Sequence, residues 1–300
     1  MIPYVRVFPV RYGVSEQVSP LIRRVVANNP GPFTFTGTGT YIVGHDRPGA
    51  GVAVIDPGPD DDAHLAALLS ALDGQTVSHI LVTHTHRDHA PLARPLSQAT
   101  GAPVLAAAPP IGAHDSAVAI EEDDDDDFRP DQILGDGEIV TGDGWTLETL
   151  ATPGHASNHL AFVLAEENAL FSGDHVMGWS TTVVAPPDGD MVAYMQSLDA
   201  VIARNFTTLW PTHGAPITDP APFLRAYRGH RLARESQILE RLNAGDRTIA
   251  AMVPVLYSAV DDRLWPAASL SVLAHLIKLV AEGRVVAEPQ ATLTATYRPA

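Results

Sequence analysis

The sequence contains no cysteine. That excludes a disulfide framework, a thiolate nucleophile and a zinc site built on cysteine. Basic residues are scarce too: 19 Lys and Arg stand against 35 Asp and Glu, a formal charge of −16. This balance argues against a surface coated for DNA or for an acidic membrane. No apolar run approaches the roughly 20 residues needed to span a bilayer. The segment Met1–Tyr12 is broken by Pro3 and Pro9 and has no apolar signal core, so a cytoplasmic chain without a membrane partner is expected. What is present is the composition of a soluble globular protein: 300 residues, 45% hydrophobic and 18% charged, enough for one large domain or two modest ones.

The charge is uneven. Residues 1–220 carry 9 basic and 28 acidic groups, a net −19, whereas residues 221–300 carry 10 and 7, a net +3. The step falls near Asp219, Pro220 and Pro222, which predicts a domain boundary between 1–220 and 221–300. Seven of the acids form one run, Glu121 to Asp127. Carboxylates in a row repel one another and cannot all face one ion, so the run reads as a solvated loop or insertion.

Before residue 220, short apolar runs alternate with helical patterns. Thr40–Gly44 and Gly51–Asp56 read as neighbouring strands, and Ser78–Thr83 as a buried one. Asp62–Asp73 spaces Leu65, Leu68, Leu69 and Leu72 as the apolar stripe of a helix on a sheet. Leu160–Ala165 and Ala169–Ser172 flank Glu166–Asn168 as a hairpin. Asp190 can cap a helix carrying Tyr194, Leu198 and Val201. Strands with intervening helices predict an α/β domain of packed layers.

The chemistry gathers just after strands. The loop following Thr83 reads His84-Thr85-His86-Arg87-Asp88-His89. A core would not collect so many imidazoles and a carboxylate. His84 and His86 can face one ion while Asp88 and His89 reach a second, and imidazole with carboxylate suits zinc. His155 in Thr152-Pro-Gly-His155, Asp174 in Phe171-Ser-Gly-Asp174 and His213 in Trp210-Pro-Thr-His213 share the setting of strand, turn and ligand-type residue. Strand ends are where loops converge over a rigid sheet. Together these residues fill two coordination shells, which predicts two divalent ions, zinc by preference, as cofactors.

His84-x-His86-x-Asp88-His89, followed by His155, Asp174 and His213, resembles the metallo-β-lactamase fold hydrolases. The resemblance implies a four-layer αββα sandwich. It assigns His84, His86 and His155 to the first metal, Asp88, His89 and His213 to the second, and Asp174 to a bridge between them. Asp56, in Ile55-Asp-Pro-Gly58, matches the aspartate that supports the ligand loop in the family. Asn29-Pro-Gly-Pro-Phe-Thr34 and Tyr227-x-x-His230-Arg231-x-x-x-Glu235 are similar to the branch that contains β-lactamase-like protein 2, which carries a C-terminal winged-helix domain. Gly39 departs from that branch, where asparagine is common.

The implied mechanism is that of a binuclear metal-dependent hydrolase. A hydroxide bridging the metals, oriented by Asp88, attacks an ester, thioester, amide or lactam, or phosphodiester bond. His159 is either a supporting partner of the ligands or a buried structural residue. His45, His64, His79, His114 and His275 have no ligand-like company. Met177 and Trp179, in the long connection after Asp174, either wall a substrate pocket or anchor that loop in the core.

In the C-terminal segment, helices are expected from Pro222 to Asn243, capped by Asp219, over Thr248–Tyr257, and around Leu270, Leu273, Ala274 and Ile277. Arg284–Glu288 and Thr292–Tyr297 would pair as a wing. The presumed recognition helix offers His275 and Lys278, opposed by Glu282, too few cations to grip phosphates. The module therefore reads as packing and gating, with a small molecule as the favoured substrate. An RNA-binding, metal-dependent endoribonuclease is the alternative that the resemblance allows.

Overall fold

The computed structural model describes residues 2–110, 124–125 and 127–300. Of the acidic run, Glu121, Glu122, Asp123 and Asp126 lie outside the described residues, as does His114. Two sheets form the body. The first is seven-stranded, in chain order: β1 (Glu16–Ser19), β2 (Ile22–Val26), β3 (Gly39–Val43), β4 (Gly51–Ile55), β5 (Thr76–Leu81), β6 (Val104–Ala106) and β7 (Gln132–Ile133). Its first four strands are antiparallel, and β4 through β7 are parallel. Parallel neighbours need crossovers, supplied by α1 (Asp62–Ala71) between β4 and β5 and by α2 (Ala93–Thr100) between β5 and β6.

The second sheet has the order β12-β11-β10-β9-β8. It comprises β8 (Ile139–Thr141), β9 (Thr146–Ala151), β10 (Leu160–Leu164), β11 (Ala169–Gly173) and β12 (Thr208–Pro211). The pair β11–β12 is parallel, joined over α3 (Met191–Arg204), while the rest are antiparallel.

Period-two alternation decides what each strand buries. Tyr41, Val43, Ala53 and Ile55 of the first sheet meet Leu160, Phe162 and Leu164 of the second in one inter-sheet core. Ile42, Val52 and Val54 point the other way, under Leu68 of α1 and Leu96 of α2. Ala161 and Val163 face Tyr194, Leu198 and Val201 of α3. Helix, sheet, sheet, helix: this is the expected αββα sandwich, here followed by a helical module.

That module begins with α4 (Pro220–Asn243), a 24-residue helix that belongs to two cores. Phe223, Leu224 and Tyr227 pack with α3, whereas Ile238 and Leu242 join α5 (Ile249–Leu256) and α6 (Trp265–Ala281). The helix starts at Pro220, two residues before the expected start, and Asp219 makes no side-chain cap hydrogen bond. The wing pairs β13 (Val285–Glu288) with β14 (Thr296–Pro299). Its second strand lies C-terminal to the expected Thr292–Tyr297, because the Tyr297 hydroxyl donates to Thr292 O and holds 292–295 as a turn.

Two expectations change. Leu69 of α1 is exposed and His64 is buried in its place. The helix is thus rotated so that His64 faces Thr40, whose hydroxyl meets His64 Nε2 at 2.9 Å. Second, Asp262–Ala281 is long and apolar enough by composition to cross a membrane, although Ser269, Ser271, His275 and Lys278 interrupt its apolar run. Leu270, Val272, Leu273, Leu276 and Leu279 are instead buried in the core of the module.

Candidate metal centre

The candidate ligands leave the ends of strands from both sheets: the His84–His89 loop after β5, His155 after β9, Asp174 directly after β11 and His213 directly after β12. Local conformation is special at two of these exits. Gly173 has φ 50°, and a Cβ there would lie 2.5 Å from His159 Nε2, so only glycine lets the strand turn at this point. Asp56 also has φ 50° without being glycine. Backbone of this kind persists only when its surroundings hold it.

They do. The Asp56 carboxylate accepts four hydrogen bonds, from Thr83 N (2.8 Å), Thr83 Oγ1, Thr212 Oγ1 and His89 Nδ1 (each 2.9 Å). One side chain therefore ties together the loops after β5 and β12. These bonds also fix the protons. With the Thr83 hydroxyl proton given to Asp56, Thr83 Oγ1 accepts from His84 Nδ1 at 3.0 Å, which leaves His84 Nε2 a bare lone pair. His155 Nδ1 donates to Val183 O at 2.7 Å and His213 Nδ1 to Gly37 O at 3.3 Å, leaving their Nε2 atoms free to coordinate. His159 faces the other way: its Nε2 accepts the Asp174 N–H at 3.2 Å, and its Nδ1 donates to Thr152 Oγ1 at 2.7 Å. It holds the backbone of Asp174 and carries no free lone pair toward the cluster.

The free atoms converge. Among the described residues, three groups could each hold an ion, with ligand atoms within 4.8 Å of one another: His84, His86 and His155; His84, His89 and Asp174; and Asp88, His89 and His213. His84 Nε2 and His86 Nδ1 approach to 2.9 Å. His213 Nε2 lies 2.9 Å from Asp88 Oδ2 and 3.4 Å from Asp174 Oδ2. His89 Nε2 lies 3.3 and 3.7 Å from the same two oxygens. Yet the Nε2 atoms of His89, His155 and His213 and Asp174 Oδ1 are buried with no aligned hydrogen-bond partner. Buried polar atoms are almost always satisfied. A donor set of imidazole nitrogens and carboxylate oxygens gathered around common points fits borderline divalent metals.

The electrostatics divide the cluster. Burial, then the neighbouring imidazoles, drive the His84 pKa well below its ordinary value, and burial takes His86 down to about 3. At His213 burial acts in the same sense, but Asp174 and Asp88 outweigh it and lift the pKa to about 10. His89 is raised likewise by Asp88, Asp56 and Asp174 against its burial. His84 and His86 are thus neutral imidazoles, whereas the end with Asp88 and Asp174 is a carboxylate-rich pocket that draws in positive charge.

The structure brings His84, His86, Asp88, His89, His155, Asp174 and His213 into one cluster, with Asp56 and His159 behind it. Met177 is buried, and Trp179 stacks on Phe35 with centroids 4.8 Å apart and planes at 8°. Both line a cavity that reaches the helical module. His175 faces away from the ligands, against Tyr194. Gly39 is also explained: a Cβ there would meet Arg24 Cδ at 3.2 Å, so the Arg24 side chain occupies that space and donates to Gly214 O, beside His213. Sequence reasoning missed Thr83, Thr152, Thr182 and Thr212. A signal existed, since Thr83-His84 and Thr212-His213 repeat one dipeptide at two strand ends.

An αββα sandwich with a histidine- and aspartate-lined metal site at one edge of its sheets defines a class of metal-dependent hydrolases. The chain belongs to the metallo-β-lactamase superfamily, whose family model matches residues 34–213, and residues 248–292 match the β-lactamase associated winged helix domain. It is 31% identical over 279 residues to a β-lactamase-like protein 2 homolog of Caenorhabditis elegans, covering 91% of this chain and 88% of that one. It is 33% identical over 287 residues to an atrochrysone carboxyl ACP thioesterase of Aspergillus chevalieri, covering 92% and 86%. Its fold matches a β-lactamase domain protein from Burkholderia ambifaria with TM-score 0.80 at 22% identity, over 100% of this chain and 97% of that one. A metallo-β-lactamase family protein from Thermus thermophilus matches with TM-score 0.75 at 23% identity, over 95% and 100%.

Proposed function

We infer that the chain is a two-metal hydrolase acting on thioesters of small carboxylic acids. The observation that carries this reading is the pair of ligand sets at the two ends of the cluster, linked by His84, His89 and Asp174. The choice of thioester draws on the relatives named as thioesterases. Zinc is the proposed ion: His84, His86 and His155 would hold it in one subsite and Asp88, His89 and His213 in the other, and Asp174 would serve both. Such ions supply Lewis acidity and hydroxide at neutral pH.

The chain's own residues do the rest. Asp88, whose side chain is 15% exposed and so reachable from solvent, orients the attacking group. Thr83, Asp56 and Thr212 hold the imidazoles at their required tautomers. His159 fixes the backbone at Asp174. Residues 1–220 form the proposed catalytic domain and 221–300 the winged-helix domain, with α4 shared between their cores. The RNA reading has less to stand on, because Lys278 is paired at 2.6 Å with both Glu235 and Glu282, and His275 is buried.

A hydrolysis panel on the zinc-loaded protein tests this reading, using an acyl thioester, a lactone, a β-lactam and a single-stranded RNA oligonucleotide. The thioester is expected to turn over, and His84→Ala and Asp174→Ala are expected to lose both metal and activity. Cleavage of RNA alone would overturn the substrate assignment.

A further inference from the structure

Arg231, on α4, is 4% exposed, and among the described residues no carboxylate pairs with it. Its Nη2 donates to Thr182 O at 2.5 Å, and its guanidinium lies 4.9 and 5.8 Å from the rings of Tyr194 and Tyr227. Its Nε has no partner. Buried guanidinium groups are ordinarily paired, because carbonyls and ring faces replace only part of the lost hydration.

The same residue lines a cavity of about 140 Å³ between the loop after β11 and the winged-helix domain. Phe33, Met177, Trp179, Leu264 and Ala267 supply apolar wall, with Ser180, Thr181 and Ser271 as polar points between them. A cavity of roughly 150 Å³ takes a benzene-sized group. Two of its lining residues reach the metal cluster. Val183 O accepts from His155 Nδ1, and Trp179 lies against Gly214, next to His213. The cavity is thus one residue removed from the ligands His155 and His213.

We propose that this cavity is the acyl subsite and that Arg231 recognises an anionic substituent, a carboxylate in particular, on a small aryl or acyl group. A carboxylate seated there gives the buried guanidinium the counter-ion it lacks. The apolar walls take the ring or chain between that carboxylate and the reacting bond. The assignment rests on the thioester reading above for the position of the reacting bond, but not for the anion.

The test is calorimetry on the zinc-loaded full chain with two non-hydrolysable thioethers, S-(4-carboxybenzyl)- and S-benzyl-N-acetylcysteamine. The carboxylate probe is expected to bind about tenfold tighter or more. Arg231→Gln is expected to erase that preference and Arg231→Lys to retain part of it. Leu264→Asp, which adds a negative charge to the lining, is expected to reverse it, and it decides the matter should Arg231→Gln fail to fold. Equal binding of the two probes to the wild type, or a preference that survives in folded Arg231→Gln or in Leu264→Asp, overturns the proposal. Arg231-dependent binding without thioester hydrolysis would instead remove the thioester reading and leave the anion subsite standing.

Discussion

At the scale of single residues, Asp56 holds the candidate site together. Its carboxylate receives four donors, from residues 27, 33 and 156 positions away in the chain. Asp56→Asn replaces one acceptor oxygen with a donor, so either Thr83 N at Oδ1 or the donors at Oδ2, His89 Nδ1 among them, lose their acceptor. Losing such an outer partner costs about 10–100-fold in metal affinity or activity, and metal analysis after dialysis against a weak chelator should show that loss. Gly173→Ala tests the neighbouring exit. With φ 50° and the Cβ position 2.5 Å from His159 Nε2, it is expected to lower stability by about 1–3 kcal/mol in thermal unfolding. These distances also explain what the sequence disclosed. The ligand-type residues were legible because they crowd into short loops after strands. Thr83 and Thr212 were marked only by the repeated Thr-His dipeptide and His64 by nothing local, because each is defined by a partner far along the chain.

At the scale of elements, strongly periodic segments were legible and short ones were not. β4, β10 and α3 bury residues at the spacing their sequence announces. β2 hides its pattern because Arg23 and Arg24 are buried within it, and β7, at 2 residues, is too short to show a period. The cap of α3 did announce itself: Asp190 accepts from Val192 N and Ala193 N. Asp190→Ala is expected to cost about 1 kcal/mol, read from the thermal midpoint. In α6, His275 is buried with neither ring nitrogen bonded, and burial, with the cations around it, takes its pKa down to about 3. A histidine depressed when folded binds fewer protons than the unfolded chain, so its contribution is intact above pH ~6.5 and declines as pH falls toward about 3. His275→Leu should flatten that part of the acid limb in denaturation measured across pH, with little change at pH 8.

At the scale of the molecule, the charge step near residue 220 coincides with the start of α4, but packing does not stop there. Phe223, Leu224 and Tyr227 complete the core under α3, and the Tyr227 hydroxyl takes the Thr182 N–H. A chain ending at Pro220 is therefore expected to unfold at lower temperature than the full protein and to hold metal poorly, since Thr182 in turn donates to Asp174 O. The net charge points away from polyanions, and the pairing of Lys278 and Arg284 with Glu235 extends that to the basic end of the chain.

The proposed hydrolysis needs both ligand sets filled. Zinc titration into the chelated protein, followed by thioester hydrolysis and by metal content, tests that requirement most directly. Two ions per chain are predicted, with activity rising to the second equivalent and none in His84→Ala. Full hydrolysis by the chelated protein, or by His84→Ala, would contradict it.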